Sequence, residues 1–179
     1  MNSPSSIDVR RLAPPEWSVL RRLRLNALRD SPQAFLGDPQ TEAARSPEEW
    51  QVRMQNRVWF AAASDGRPVG LGSTVRDPDT DERYVESMWV EPDCRGRGVA
   101  SAVLRAVEHL AVSEGKTVLL LWVLDGNPSA AEVYRRYGFR ESGVRQPISG
   151  HPELIETQFR LSVPSRPIVV TTPLIFAAR

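Results

Sequence analysis

The sequence predicts one domain of the α+β class, in which helices flank a mixed β-sheet. The order of elements carries this prediction, because strand-like runs come first and a β–α–β–α–β alternation follows. Such an alternation requires at least one right-handed crossover. The length of 179 residues suits a single domain with a full hydrophobic core. We assign residues 1–161 to this domain and residues 162–179 to a C-terminal extension.

The first half of the chain predicts two helices and four strands. Pro14 and Pro15 open the first helix, which ends at Ser31-Pro32, since proline is favoured in a first helical turn. Ser46 is placed to cap a second helix that runs from Pro47 to Gln55. A hairpin turn at Asp65-Gly66 joins two of the strands. The predicted strands cover residues 7–12, 58–63, 69–75 and 84–90.

The second half predicts two helices around a buried strand. Apolar residues recur at helical spacing from about 97 to 114, and Gly115 is a natural stop. Residues 118–124 form a continuous apolar run, typical of a strand that is covered on both faces. Asn127 is then placed to cap a short helix that Pro128 begins and Gly138 ends. Phe139 and residues 154–161 supply the last strands, and residues 143–156 are taken as a loop.

Composition excludes several classes of function. The 23 basic and 22 acidic residues give a net charge of +1, which argues against a broad nucleic-acid-binding surface. One cysteine and two histidines exclude internal disulfides and a cysteine- or histidine-rich metal site. No apolar run approaches the roughly 20 residues of a membrane span, and no signal core is present. We therefore expect a cytoplasmic protein without a membrane or nucleic-acid partner.

Two motifs carry chemistry. In the first, a strand ends at Val90, the chain turns through Gly96 and Gly98, and a long amphipathic helix begins at once. Glycine lacks the Cβ that would block a ligand, and the free N–H groups of a first helical turn bind anions such as pyrophosphate. By itself this motif is more often a plain turn than an anion-binding site. The second motif, residues 127–139, is a capped helix that could simply belong to the core.

Together, in this order and spacing, the two motifs resemble the GNAT superfamily of acetyl-CoA-dependent N-acetyltransferases. Residues 95–100, Arg-Gly-Arg-Gly-Val-Ala, are similar to the phosphate-loop signature of that family. Asn127, Ala130, Tyr134 and Gly138-Phe139 match its second signature. The segment 30–35, Asp-Ser-Pro-Gln-Ala-Phe, is more weakly similar to bacterial members.

The resemblance implies a largely antiparallel mixed sheet of about six or seven strands, flanked by about four helices and splayed between the fourth and fifth strands. It also implies acetyl-CoA as co-substrate, no metal, and a pantetheine arm lying in the splay. The residues expected to hold acetyl-CoA are Met88, Trp89, Val90, Arg95, Gly96, Arg97, Gly98, Val99, Ala100, Asn127, Ala130 and Tyr134.

The implied reaction transfers acetyl to a primary amine of a small molecule or protein through a tetrahedral intermediate. Tyr134 occupies the family's position for the general acid, with a packing role as its alternative. A backbone N–H near Met88 or Val90 is expected to stabilise the oxyanion. Glu86 is the candidate base, because period-two alternation predicts that Tyr84, Glu86, Met88 and Val90 share one face. Its alternatives are a solvent-facing charge and a base supplied by water.

Three questions stay open at this point. Arg24 lies within the apolar arc of the first helix, so we expect it to extend to the edge of the helix, to pair with a buried carboxylate, or to contact an acidic acceptor. The apolar clusters 168–170 and 174–176 in the C-terminal extension could pack on the domain as an extra strand, form the interface of a homodimer, or be partly disordered. The alternative function is a catalytically inactive acetyl-CoA-binding sensor or interaction domain.

Overall fold

A computed structural model describes residues 6–164, which form a seven-stranded sheet with the order β1-β2-β3-β4-β5-β7-β6. Neighbouring strands are antiparallel except for β4 and β5, which are parallel. The mixed, largely antiparallel sheet predicted from the sequence is therefore confirmed. The strands are β1 Ile7–Arg11, β2 Val58–Ser64, β3 Arg67–Arg76, β4 Arg83–Val90, β5 Val118–Leu124, β6 Arg140–Ile148 and β7 His151–Ser162.

The four predicted helices are present, together with two short helices that the sequence did not predict. The helices are α1 Trp17–Asp30, α2 Pro32–Phe35, α3 Pro39–Ala43, α4 Pro47–Gln55, α5 Val99–Ser113 and α6 Pro128–Tyr137. A helix of four or five residues is too short to show a periodic pattern, which explains why α2 and α3 were missed. The cap of α4 is confirmed, because the amide of Glu49 donates to Ser46 Oγ at 3.3 Å and the Glu49 carboxylate accepts from the Ser46 amide at 2.7 Å.

The sheet separates two hydrophobic cores. On one face α5 and α6 pack against side chains that include Phe60, Val69 and Leu121, and on the other face α1 and α4 enclose Trp59 and Trp89. Gly72 lets α5 approach β3 closely, because a Cβ at that position would lie 2.5 Å from Val103 Cγ1. Helix α5 is thereby held against β3. Its neighbour β4 is the strand that leads into the start of α5.

The splay between the fourth and fifth strands is confirmed. β4 and β5 pair at only two positions, Arg83 with Leu119 and Tyr84 with Leu120, near the N-terminal end of each strand. Beyond Tyr84 the two strands diverge, so the edge of β4 that leads to Val90 has no β5 partner. Since parallel strands end on the same side of a sheet, the starts of α5 and α6 are brought together at the open end.

The prediction of a loop over residues 143–156 is wrong, because most of this segment belongs to the antiparallel hairpin of β6 and β7. β6 is an edge strand whose residues are mostly exposed. A strand with no buried face lacks the apolar alternation by which strands are predicted, so its polar sequence looked like a loop.

The chain between residues 6 and 164 contains no helix that is long and apolar enough to cross a membrane. β7 ends at Ser162, and the next residue, Val163, is buried with its amide donating to the Thr117 carbonyl at 2.8 Å. The domain boundary at 161 remains a prediction, and the expected packing of the apolar clusters 168–170 and 174–176 lies outside the described residues.

Candidate functional site

A cleft of about 510 Å³ opens where β4 and β5 diverge. Its walls come from Ser31 and helix α2, the end of β4, the turn before α5 with the start of that helix, and one face of α6. Eleven of the twelve residues expected to hold acetyl-CoA line it: Met88, Trp89, Val90, Arg95, Gly96, Gly98, Val99, Ala100, Asn127, Ala130 and Tyr134. The exception is Arg97, which is exposed and does not line the cleft. The fold thus brings two motifs from different parts of the sequence into one cavity.

The turn before α5 presents free backbone N–H groups. Gly96 and Gly98 have φ angles of 73° and 85°, in the left-handed region that glycine adopts without strain. The first helical hydrogen bond of α5 runs from the Ala102 amide to the Gly98 carbonyl at 3.0 Å. The amides of the first turn, Val99 to Ser101, therefore have no acceptor within the helix. A Cβ at Gly96 would meet no atom within 4 Å, so the turn has room for an anion beside these amides.

The side chain of Asn127 caps α6, as the sequence predicted. Its Oδ1 accepts from the Ala130 amide at 3.1 Å and from the Ser129 hydroxyl at 3.0 Å. Because the carbonyl oxygen is used by the cap, the amide nitrogen of Asn127 keeps its two donors for a ligand in the cleft. The cap therefore positions both the helix and a potential ligand contact.

Two tyrosines lie on α6, but only Tyr134 lines the cleft. The ring of Tyr134 packs edge-to-face on Phe139 with centroids 5.9 Å apart, and burial raises the pKa of its hydroxyl above the ordinary value. Within residues 6–164 that hydroxyl has no hydrogen-bond partner. The Tyr137 hydroxyl, in contrast, donates to Glu108 Oε2 at 2.6 Å. Tyr134 is thus protonated at neutral pH and free to donate.

A β-bulge divides β4 and corrects the prediction that Glu86, Met88 and Val90 share one face. Leu71 of β3 pairs with Trp89 and Ser73 pairs with Glu86, so one residue of β3 opposes both Ser87 and Met88. Ser87 has a φ of 54°, and this extra residue shifts the alternation by one. Met88 and Val90 therefore pack on the α5 side of the sheet, whereas Glu86 lies on the α1 side.

Glu86 forms an ion pair with Arg57, a residue that the sequence did not single out. The two side chains are 38% and 31% exposed, and the Arg57 guanidinium lies 5.9 Å from the centre of the Trp59 ring. Glu86 does not line the cleft. It is reached from the opposite face of the sheet, just before the bulge.

Arg24 pairs with a buried carboxylate, which confirms the structural alternative. Its Nε lies 3.2 Å from Glu42 Oε2 and its Nη2 lies 3.2 Å from Glu42 Oε1, with both side chains 8% exposed. Arg53 adds a third contact to Glu42 at 3.3 Å. The Arg24 guanidinium also lies 4.9 Å from the centre of the Phe35 ring, which lines the cleft. The cluster thereby ties α1, α3 and α4 together behind the cleft wall.

Asp30 lies beside the cleft, and sequence reasoning gave it no role. Its Oδ2 accepts from Trp89 Nε1 at 2.9 Å and from the Ser31 hydroxyl at 2.8 Å, and it also pairs with Arg95 of the turn before α5. Burial raises the pKa of Asp30, but these hydrogen bonds outweigh it and hold the pKa below its usual value. Two of the partners are distant in sequence, so only the weak likeness of residues 30–35 to bacterial relatives pointed to this position.

Comparison with models of known protein families identifies the family of the chain. The acetyltransferase (GNAT) family model matches residues 25–139, which is more than half of the chain. The chain belongs to the acetyltransferase (GNAT) family. Members of that family are acyltransferases. Among residues 6–164 there is no group of three or more histidine, cysteine or acidic residues that could hold a metal ion.

Individual relatives are distant. An uncharacterized N-acetyltransferase of Methanocaldococcus jannaschii is 29% identical over 103 residues, which are 54% of this chain and 45% of the relative. The thialysine N-epsilon-acetyltransferase of Sus scrofa is 34% identical over 58 residues, 32% of this chain and 34% of that enzyme. The chain thus spans less than half the length of these relatives.

Similarity to solved structures extends over nearly the whole chain. The structure of yncA from Salmonella typhimurium, solved with its cofactor acetyl-CoA, superposes with a TM-score of 0.67 at 16% sequence identity. The superposition covers 90% of this chain and 96% of that one. At such low identity the likeness shows the fold.

Proposed function

We propose that this GNAT-family chain transfers acetyl from acetyl-CoA to a primary amine of a small molecule or protein, by direct attack through a tetrahedral intermediate. The observation that carries the proposal is the Tyr134 hydroxyl, which is protonated, has no partner within residues 6–164, and stands in the same cleft as the free amides of α5. One cavity thus combines an anion-binding helix start with a proton donor.

The residues of the cleft suit acetyl-CoA, which supplies an acetyl group already activated as a thioester. The amides of the first turn of α5 and the side chain of Arg95 would hold the pyrophosphate. The edge of β4 at Met88 to Val90 has no β5 partner, so its backbone would bind the pantetheine arm in the manner of an added strand. Asn127 and Ala130 would contact the same arm from α6.

The reaction needs two protons to leave the charged amine and one proton to reach the thiolate. An alkylamine with a pKa of about 10.4 is mostly charged at neutral pH, so it must lose a proton before it attacks. Glu86 is our candidate acceptor for this proton, directly or through water, from the opposite face of β4. A backbone N–H near Met88 or Val90 would stabilise the oxyanion. As the C–N bond forms and the C–S bond breaks, Tyr134 protonates the departing thiolate. The nitrogen loses its second proton to water as it becomes an amide, and Tyr134 recovers a proton from water.

Replacing Tyr134 by phenylalanine tests the chemical step. We expect kcat to fall by about one to three orders of magnitude, the range of general-acid catalysis, because the thiolate then leaves unprotonated. The Kd for acetyl-CoA should stay the same, since phenylalanine keeps the ring. Tyr137→Phe is the matched control on the same helix and should leave turnover intact. Unchanged turnover in Tyr134→Phe would refute the assignment.

Activity itself is tested by release of free coenzyme A over a panel of amines and peptides. A calorimetric titration with acetyl-CoA should precede the panel, because absence of binding would refute the whole proposal. Binding without release of coenzyme A for any acceptor would instead support the inactive sensor.

A further inference from the structure

The carboxylate of Asp30 joins three elements around the donor cleft, which is the cavity between the end of β4 and α6 where we propose that acetyl-CoA binds. A single oxygen, Oδ2, accepts from Ser31 after α1, from Trp89 on β4 and from Arg95 in the turn before α5. We propose that Asp30 is a positioning residue, which holds Arg95 at the cleft wall and thereby sets the affinity for the pyrophosphate end of coenzyme A. The inference rests on the proposed function, because it assumes that the cleft binds coenzyme A.

Arg95 is held at two points. Its Nε donates to the Val90 carbonyl at 3.0 Å, and its Nη2 donates to Asp30. A guanidinium carries five N–H donors, so three remain for a ligand. The Arg95 side chain is 50% exposed, and without Asp30 it would sample several rotamers. The ion pair therefore removes before binding the conformational freedom that binding would otherwise have to remove.

Asp30 cannot raise the affinity for coenzyme A through its own charge. Asp30 is negatively charged at neutral pH, because the hydrogen bonds from Trp89, Ser31 and Arg95 keep its pKa low. A carboxylate close to a pyrophosphate repels it, and the Asp30–Arg95 pair together is roughly neutral. If affinity depended on charge alone, removal of the carboxylate would strengthen binding. If it depends on the placement of Arg95, removal weakens binding, so the two explanations predict opposite signs.

Asp30 also holds Trp89, so its effect on Arg95 must be separated from a general effect on β4. Asparagine at position 30 retains a carbonyl oxygen for Trp89 and Ser31 but lacks the charge that holds Arg95. Pantetheine separates the two effects in a second way, because it contains the arm proposed to lie along β4 but lacks the pyrophosphate. A defect confined to coenzyme A therefore reports on the phosphate-binding turn.

The experiment measures Kd for coenzyme A and for pantetheine by calorimetric titration, in the wild type, Asp30→Asn, Arg95→Gln and the double variant. We expect Asp30→Asn to raise the Kd for coenzyme A about tenfold, the range of a charge-assisted hydrogen bond, and to leave the Kd for pantetheine unchanged. In the Arg95→Gln background the same substitution should have no further effect. Asp81→Asn is the matched control, since Asp81 also pairs with two cations, Arg76 and Lys116, outside the cleft.

An unchanged or lower Kd for coenzyme A in Asp30→Asn would overturn the inference. So would an equal loss for pantetheine, or an equal effect when Arg95 is already glutamine. If Asp30→Asn does not fold, Asp30→Glu provides the test: it keeps the charge and should bind coenzyme A within about threefold of the wild type, and a larger loss counts against the proposal. If the wild type binds no coenzyme A, the proposed function fails first. The other outcomes in a protein that binds it refute only the role of Asp30.

Discussion

The two sides of β4 are built in different ways. The side that faces the donor cleft depends on backbone: two glycines with positive φ, the free amides of α5 and an unpaired strand edge. The opposite side depends on charged side chains that come from distant segments, the pairs Arg24–Glu42 and Arg57–Glu86. Backbone features arise from short stretches of sequence, whereas ion pairs require the fold to bring their partners together.

The bulge at Ser87 is the point where the two sides meet. It places Met88 in the cleft and leaves Glu86 on the opposite face, with a single residue between them. A regular strand would have put both side chains on one side, with the candidate base inside the donor cavity. In the reaction that we propose, the bulge would therefore separate the space for acetyl-CoA from the face by which an amine approaches.

The largest effect is expected from Arg24 and Glu42, the buried ion pair on the side of β4 opposite the cleft. Arg24→Ala leaves the carboxylate of Glu42 buried with only Arg53 beside it, so the free energy of unfolding should fall by about 3–5 kcal/mol. Denaturant unfolding measures this loss. The acceptor KM of the folded enzyme should not change, because Arg24 supports the wall and does not bind acceptor.

Arg22→Ala, on the exposed side of the same helix, is the control and should change stability by about 0.5 kcal/mol or less. A stable Arg24→Ala protein with a raised acceptor KM would instead give Arg24 a binding role.

The more exposed pair, Arg57 and Glu86, should contribute to catalysis more than to stability. Glu86→Gln should lower kcat/KM for the acceptor about ten- to a hundredfold at neutral pH, because the variant cannot take the amine proton. The Kd for acetyl-CoA should stay constant, since Glu86 lies outside the cleft. The defect should shrink as the pH rises towards about 10, where the amine loses its proton unaided.

A pH–rate profile of Glu86→Gln checks this prediction, with Glu153→Gln on β7 as an exposed control. A profile identical to that of the wild type would assign the proton transfer to water.

The smallest effect is expected on the cleft side of β4, in the turn before α5. Gly98→Ala forces alanine into a left-handed conformation at a cost of about 1–2 kcal/mol, and relief of this strain should displace the turn. The Kd for acetyl-CoA should rise about fivefold to tenfold in a calorimetric titration.

Gly115→Ala is the matched control, because Gly115 has a φ of 75° at the other end of α5 and open space around its Cβ position. It should lose similar stability and keep its affinity. Equal affinities in the two variants would show that the turn at Gly98 does not contact the ligand.

Much of the donor cleft could be predicted because its signals are local. The cap at Asn127, the glycines of the turn and the apolar stripe of α5 each occupy a few consecutive residues, where hydrogen-bond geometry and φ depend on neighbouring residues. The hairpin of β6 and β7 could not be predicted in the same way, since an edge strand with a polar sequence owes its structure to its partner. Glu42 and Arg57 gave no signal either, because each acts through a residue elsewhere in the chain.

By itself the sequence determined the α+β domain and the order of its principal helices and strands, since helix caps, turns and periodic apolar residues are properties of short segments. Its family resemblance supplied eleven of the nineteen residues that line the cleft. Only the tertiary structure decided which side of β4 Glu86 occupies, what Arg24 pairs with, and that Asp30 reaches Arg95. These outcomes depend on strand register and on contacts between residues 18 to 65 positions apart. No local preference specifies such contacts, because they form only when the packed sheet brings the segments together.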